Sequence, residues 1–175
     1  MNEKQILMVG DSMIEYGPWE NWFGDHVANR GIGGLTTEGV YQHLNRILRK
    51  PYDVIAIMAG VNDLLIGLSI ETAGKNYERI LNKIKEQQPT AEVYVHRPLP
   101  CYPEKLGIPL SNRRIQALGE ILRKLADRYE AHWVDLWDLY AVNEALDPTL
   151  TFDGLHLTEA AYQFWGDRLA GLFKA

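Results

Sequence analysis

The sequence predicts a flavodoxin-like three-layer α/β/α sandwich around a five-stranded parallel sheet in the order 2-1-3-4-5. Three observations carry that prediction. Short apolar runs alternate with longer segments of helical period along the whole chain. The clearest run, 54–58, is apolar on both faces, as a strand covered on both sides must be. No repeat, low-complexity tract or Pro/Gly/Ser linker divides the 175 residues, so one domain over 1–175 is expected. Right-handed crossovers then restrict the topology to the doubly wound arrangement, in which ligands bind at the carboxyl ends of the strands.

The elements follow in order. Residues 6–9 (Ile6, Leu7, Met8, Val9) read as a buried strand, and 26–30 reads as a second from its place in the alternation. A helix over 36–50 carries Val40, Leu44, Ile47 and Leu48 on one face and is stopped by Pro51. After the strand 54–58, a helix over 72–88 buries Ala73, Tyr77, Ile80, Leu81 and Ile84 and is closed by Pro89. Residues 92–96 make the fourth strand. Ser111 caps a helix over 111–130 with Ile115, Leu118, Leu122, Leu125 and Tyr129 in phase. A fifth strand at 132–136 and a helix over 158–173 close the chain. The connections read as short, with no inserted lid, which predicts an open, shallow cleft.

Composition narrows the function classes. Hydrophobic residues make up 46% and charged residues 23%, ordinary for a soluble globular domain. The net charge of −5 speaks against nucleic acid or an anionic membrane as the main partner. The single cysteine, Cys101, excludes an intrachain disulfide. The apolar runs are too short for a secretory core or a membrane span, so a soluble, cytoplasmic protein without membrane insertion is expected.

Four segments carry chemistry: Gly10-Asp11-Ser12, the stretch from Asn29 to Thr37 with Gly31, Gly33 and Gly34, Gly60-Val61-Asn62-Asp63, and Asp153-Gly154-Leu155-His156. Each alone has a plain structural reading as a turn, a cap or a surface pair. The glycine spacing also fits neither a dinucleotide fingerprint nor a Walker loop. Placement strengthens them. Ser12, Gly34 and Asn62 follow the first, second and third strands, which are neighbours in the order 2-1-3, so all three converge on the crevice where ligands bind. The 153–156 loop precedes the last helix and can arch over the same edge.

The residue types suit acyl transfer. A serine hydroxyl needs an adjacent base, and His156 can serve because free imidazole titrates near neutrality, at about pH 6.5. Asp153 is the nearest carboxylate able to orient it. The Gly34 N–H, the Asn62 side-chain amide and the Ser12 N–H are suitable donors to an oxyanion. Activity is then expected to rise with pH as the imidazole loses its proton.

Taken together, the segments resemble conserved blocks I, II, III and V of the SGNH (GDSL-type) hydrolases, with Met13 in place of the usual leucine. The second block is similar to that of the acetylhydrolase-like branch. The resemblance spans nearly the whole chain. It implies a nucleophile at Ser12, oxyanion donors at Gly34 and Asn62, and an Asp153–His156 pair, with no cofactor or metal and a small-molecule ester as substrate. Many members carry Asp after the block II glycine where this chain has Leu35, a change expected at the floor or rim of the pocket. The family's range of esters and thioesters leaves the substrate open; the open cleft predicts short acyl chains.

Other residues invite plainer readings. Asp11 and Asp63 are expected to bond turn amides. His26, His43 and His132 have no carboxylate or cysteine neighbours at metal-ligand spacing and read as surface or packing residues. His96 and Arg97 end a strand at the active edge, and Arg97 could meet a polar part of the substrate or serve structure. Cys101 reads as a loop cysteine. Tyr16, Trp19, Trp22 and Phe23 read as helix-packing aromatics or as an acyl or aryl wall. Two other classes remain: a catalytically idle binding module, and a Mg²⁺-dependent phosphatase using Asp11.

Overall fold

The computed structural model describes residues 4–173. In chain order it contains β1 (Ile6–Gly10), α1 (Ser12–Glu15), α2 (Glu20–Phe23), β2 (Val27–Gly31), α3 (Thr37–Ile47), β3 (Val54–Met58), α4 (Val61–Leu65), α5 (Ile70–Gln87), β4 (Glu92–His96), α6 (Pro103–Leu106), α7 (Asn112–Arg128), β5 (His132–Val134), α8 (Trp137–Tyr140), β6 (Ala141–Val142), β7 (Ala145–Leu146) and α9 (Glu159–Phe173). The sheet is parallel with the predicted order, β2-β1-β3-β4-β5.

The two-residue side-chain period of the strands sorts the core into two layers. Leu7, Val9, Ile55, Ile57 and Val95 face one side, where they pack with Val40 and Leu44 of α3, Tyr77 and Ile80 of α5, and Ile115 and Leu122 of α7. Ile6, Met8, Val54, Ala56, Met58 and Tyr94 face the other, against Trp19, Tyr162, Trp165 and Leu169. Trp19 is fully buried, and its indole N–H donates to the Ile14 carbonyl at 2.7 Å, so its apolar area is gained without an orphaned donor.

Several boundaries differ from the sequence reading. The strand expected at 26–30 lies one residue later. The helix expected at 72–88 begins at Ile70 because Ser69, not a later residue, accepts from Thr72 N–H as its cap. The helix expected to reach residue 50 leaves helical geometry at Leu48. Ser111 caps α7 as predicted, accepting from Arg114 N–H. The fifth strand ends at Val134 rather than 136, since the Asp135 carboxylate takes the Trp137 N–H and starts a turn.

The expectation of uniformly short connections also fails. Residues 135–158 contain α8, the β6–β7 hairpin and a 3₁₀ turn at Pro148–Leu150 before α9 begins. Their strands are two residues each, too short for a period-2 signal. Among the described residues no helix is long and apolar enough to cross a membrane.

Candidate active site

The sheet register brings the first two chemical segments together. Gly10 of β1 stands level with Gly31 of β2 and Met58 of β3, so the three strands end side by side. Asp11 then caps α1, its carboxylate accepting from Met13 N–H at 2.9 Å, and Ser12 becomes the first residue of that helix. Backbone N–H groups of a first helical turn have no partner within the helix, so the Ser12 amide is a donor that α1 itself does not use.

Ser12 Oγ is hydrogen-bonded to His156 Nε2 at 2.8 Å, and His156 Nδ1 to Asp153 Oδ2 at 2.6 Å. With Nδ1–H donating to the carboxylate, Nε2 presents its lone pair to the serine hydroxyl. Burial by itself would raise the Asp153 carboxyl, but hydrogen bonds from the His156 ring and from the Leu155 and His156 amides hold it below the usual carboxylate range. Asp153 therefore stays charged opposite the ring that it orients.

The loop bearing this pair is held from three sides. Thr151 Oγ1 donates to the His156 carbonyl at 2.6 Å and accepts from Gly154 N–H at 2.9 Å. Thr151 also pairs with Leu157 in an isolated antiparallel bridge. Tyr102 N–H donates to the Gly154 carbonyl at 2.7 Å. Gly154 has a φ of +92°, and a Cβ there would stand 2.7 Å from the Tyr102 carbonyl oxygen and 2.8 Å from Leu106 N, so only glycine allows this seat.

The glycine-rich turn lies against the serine. A Cβ on Gly33 would fall 3.7 Å from Ser12 Cβ, and Gly33 N–H donates to Glu15 Oε2 at 2.7 Å. Gly34 has a φ of +77° with open space above it, so its backbone is exposed to whatever occupies the crevice. Asn62 Nδ2 donates to the Leu35 carbonyl at 2.9 Å, which ties α4 to the same turn and leaves the second amide proton for another acceptor. Leu35 itself is partly buried and packs against the core layer that holds α3.

Asp63 is fully buried and takes both Thr37 N–H (2.8 Å) and Thr37 Oγ1–H (2.6 Å), so it locks the start of α3 onto α4. Asp11 and Asp63 thus bond turn groups, as expected. Asp11 is also fully buried, which removes it as an accessible nucleophile and with it the structural basis of the phosphatase reading. Burial, only partly offset by the Met13 amide, pushes its carboxyl up to about 7, and among the described residues no partner reaches its Oδ2.

The remaining candidates divide. The Arg97 guanidinium pairs with Asp135 at 2.9 Å and lies 4.5 Å above the Trp137 ring, so it is engaged in structure. His96 is fully buried with Nδ1 against the Ile57 carbonyl at 3.1 Å; burial lowers it to about 4 and keeps it neutral. Cys101 is buried, and that burial pushes its thiol up to about 11. His132 stacks on Tyr94, and His26 Nδ1 is bonded to Gln5. Burial lowers the His43 imidazole. Trp19, Trp22 and Phe23 pack against α9, whereas Tyr16 stands apart with its ring centroid 5.3 Å from that of His156. Among the described residues no group of three His, Cys, Asp or Glu side chains could hold a metal ion.

Sequence reasoning missed Thr37, Thr151 and Glu15, which hold the site, and Phe152, whose ring stacks 5.8 Å from His156. The one available signal was adjacency: Thr151 and Phe152 directly precede Asp153, and Thr37 ends the glycine-rich stretch.

Comparison with known proteins places the chain in a family. The model of the GDSL-like lipase/acylhydrolase family matches residues 8–164. A solved structure described as a platelet activating factor from Streptococcus pneumonia superposes with a TM-score of 0.89 at 29% identity, over 98% of this chain and 84% of that one. The lipase/acylhydrolase of Enterococcus faecalis superposes with a TM-score of 0.81 at 22% identity, over 98% and 95% of the two chains. Among curated proteins, an N-acylneuraminate cytidylyltransferase of Streptococcus agalactiae is 24% identical over 91% of this chain. The match covers 36% of that relative, so the chain spans about a third of its length. With its family model matched across most of its length, the chain belongs to the GDSL-like lipase/acylhydrolase family.

Proposed function

We propose that this chain is a serine carboxylic ester hydrolase that works through a covalent acyl-enzyme and prefers short acyl groups. The observation that carries the reading is the unbroken hydrogen-bonded chain from Ser12 Oγ through the His156 ring to Asp153. Nε2 takes the hydroxyl proton as Oγ bonds to the ester carbonyl carbon, and Asp153 stabilises the imidazolium through Nδ1–H. The carbonyl oxygen becomes an oxyanion that accepts from the Ser12 and Gly34 amides and from Asn62 Nδ2. As the C–O bond to the alcohol breaks, His156 returns the proton to the leaving oxygen. Water then repeats the attack on the acyl-enzyme, with His156 again as base, and releases the acid and Ser12. Each step uses groups of this chain and water.

The acyl preference rests on space. Asp11, Met13, Met58, Leu99 and Leu155, which line a small cavity next to the turn that carries the nucleophile, are all buried, so little apolar surface is open there to cover added methylenes. The test is hydrolysis of p-nitrophenyl acetate, butyrate and palmitate, the last kept soluble, by wild type and Ser12→Ala, with and without chelator. The expected result is chelator-insensitive turnover, fastest on the shorter esters and reduced at least about 1,000-fold in the variant. Equal turnover in both proteins removes Ser12 from the chemistry; ligand binding with no turnover favours an idle binding module.

A further inference from the structure

Two half-exposed aromatic rings stand against the imidazole of the site. Tyr16 and Phe152 are 53% and 56% exposed, against the complete burial of Trp19 and Trp165 nearby in the same fold. Each nevertheless lies on the His156 imidazole: Tyr16 tilted at a centroid distance of 5.3 Å, and Phe152 nearly parallel, 14° off plane, at 5.8 Å. Both are carried on fixed backbone. Tyr16 caps α1 with its N–H on the Ser12 carbonyl, and Phe152 sits between the bridged Thr151 and the hydrogen-bonded Asp153.

The proton path says which part of a substrate these rings meet. In the acylation step His156 Nε2 must come within hydrogen-bond reach of the leaving oxygen, so the alcohol skeleton starts beside the imidazole. The acyl chain leaves the carbonyl carbon on a different bond, and only the carbonyl oxygen turns to the oxyanion donors. Groups flanking the imidazole therefore border the alcohol, not the acyl chain. Half-exposed rings there present apolar faces that a flat ring can cover, in offset or edge contact.

We infer that Tyr16 and Phe152 form a binding platform for the leaving alcohol and select esters whose alcohol is a flat, apolar ring. The assignment rests on the serine-esterase reading given above. It names the alcohol side of the ester, which the proposed acyl preference leaves open. Tyr16 and Phe152 are specificity residues; they take no part in proton transfer.

The test compares phenyl acetate with ethyl acetate in wild type, Tyr16→Ala, Phe152→Ala, the double variant and Tyr16→Phe, with rates followed by acid release. Both esters give the same acetyl-enzyme, so deacylation and the oxyanion contacts are common to them. The phenyl-to-ethyl ratio of kcat/KM should fall about 10-fold in each alanine variant and further in the double variant, while Tyr16→Phe keeps the wild-type ratio. A ratio that stays at the wild-type value while both rates fall together means that the rings only support His156, and overturns the assignment. Release of p-nitrophenol from p-nitrophenyl acetate separates the two levels. Ser12-dependent release with an unchanged ratio overturns the platform alone; the same release by wild type and Ser12→Ala removes the esterase reading and the platform with it.

Discussion

Asp11 offers the sharpest test of how burial at this sheet edge sets chemistry. Its carboxyl is fully buried, one oxygen bonded to the Met13 amide and the other without a partner among the described residues, and its ionisation is pushed from the ordinary 3.8 up to about 7. Below 3.8 both folded and unfolded chains hold the proton and the group is neutral in its effect. As pH rises, the unfolded chain ionises first while the folded chain keeps its proton, so stability falls until about pH 7 and then levels off. At about 1.4 kcal/mol for each tenfold change, the gap amounts to on the order of 4 kcal/mol. Asp11→Asn keeps an oxygen for the Met13 amide and cannot ionise. Urea unfolding of both proteins at a series of pH values from about 4 to 8 should therefore show the variant gaining on wild type up to about pH 7 and no further above it. A difference constant to within about 0.5 kcal/mol would refute the argument, because Asp11 would then ionise in the folded chain as it does in the unfolded one.

Three further outcomes follow from contacts in the structure. Asp153→Asn keeps an acceptor for the Leu155 and His156 amides but no longer charges or orients Nδ1, so ester turnover should fall about 100- to 10,000-fold with little change in unfolding midpoint. Asp63→Ala strands the buried Thr37 N–H and hydroxyl together, which should cost about 2–5 kcal/mol in chemical denaturation; a loss below about 1 kcal/mol would mean that the turn repacks. Cys101, with its thiol raised to about 11 by burial, should give no reaction with a chromogenic disulfide at pH 8 in the native protein and one thiol in urea.

Much of the architecture was legible because its signals are local or periodic. The run 54–58 is apolar at every position because both of its faces are covered, and the helix faces of 72–88 and 111–130 are in phase over four or more turns. Register did the rest: three strands ending at one level place Ser12, the 31–34 turn and Asn62 together, a consequence of parallel topology that pattern and crossover handedness already imply. The single misplaced expectation of consequence, uniformly short connections, concerned residues 135–158, where two-residue strands and one-turn helices carry no period to detect.

What stayed hidden depended on side-chain direction and long-range packing. Tyr16, Trp19, Trp22 and Phe23 form one aromatic cluster in the sequence, yet the tight turn after α1 sends Trp19 inward onto Trp165 and leaves Tyr16 beside His156. No spacing rule distinguishes them, because the distinction is made by α9, more than a hundred residues later. Arg97 and His96 illustrate the converse. Both end a strand at the active edge, but adjacent residues of a strand point to opposite faces, and each found a partner off the site: Asp135 and Trp137 for one, the Ile57 carbonyl for the other. Placement at the carboxyl edge is thus necessary for a role in the crevice and insufficient for one. The two reacting side chains that meet there, Ser12 and His156, are those whose backbone is fixed by a cap or a turn, Asp11 for Ser12 and Thr151 for His156.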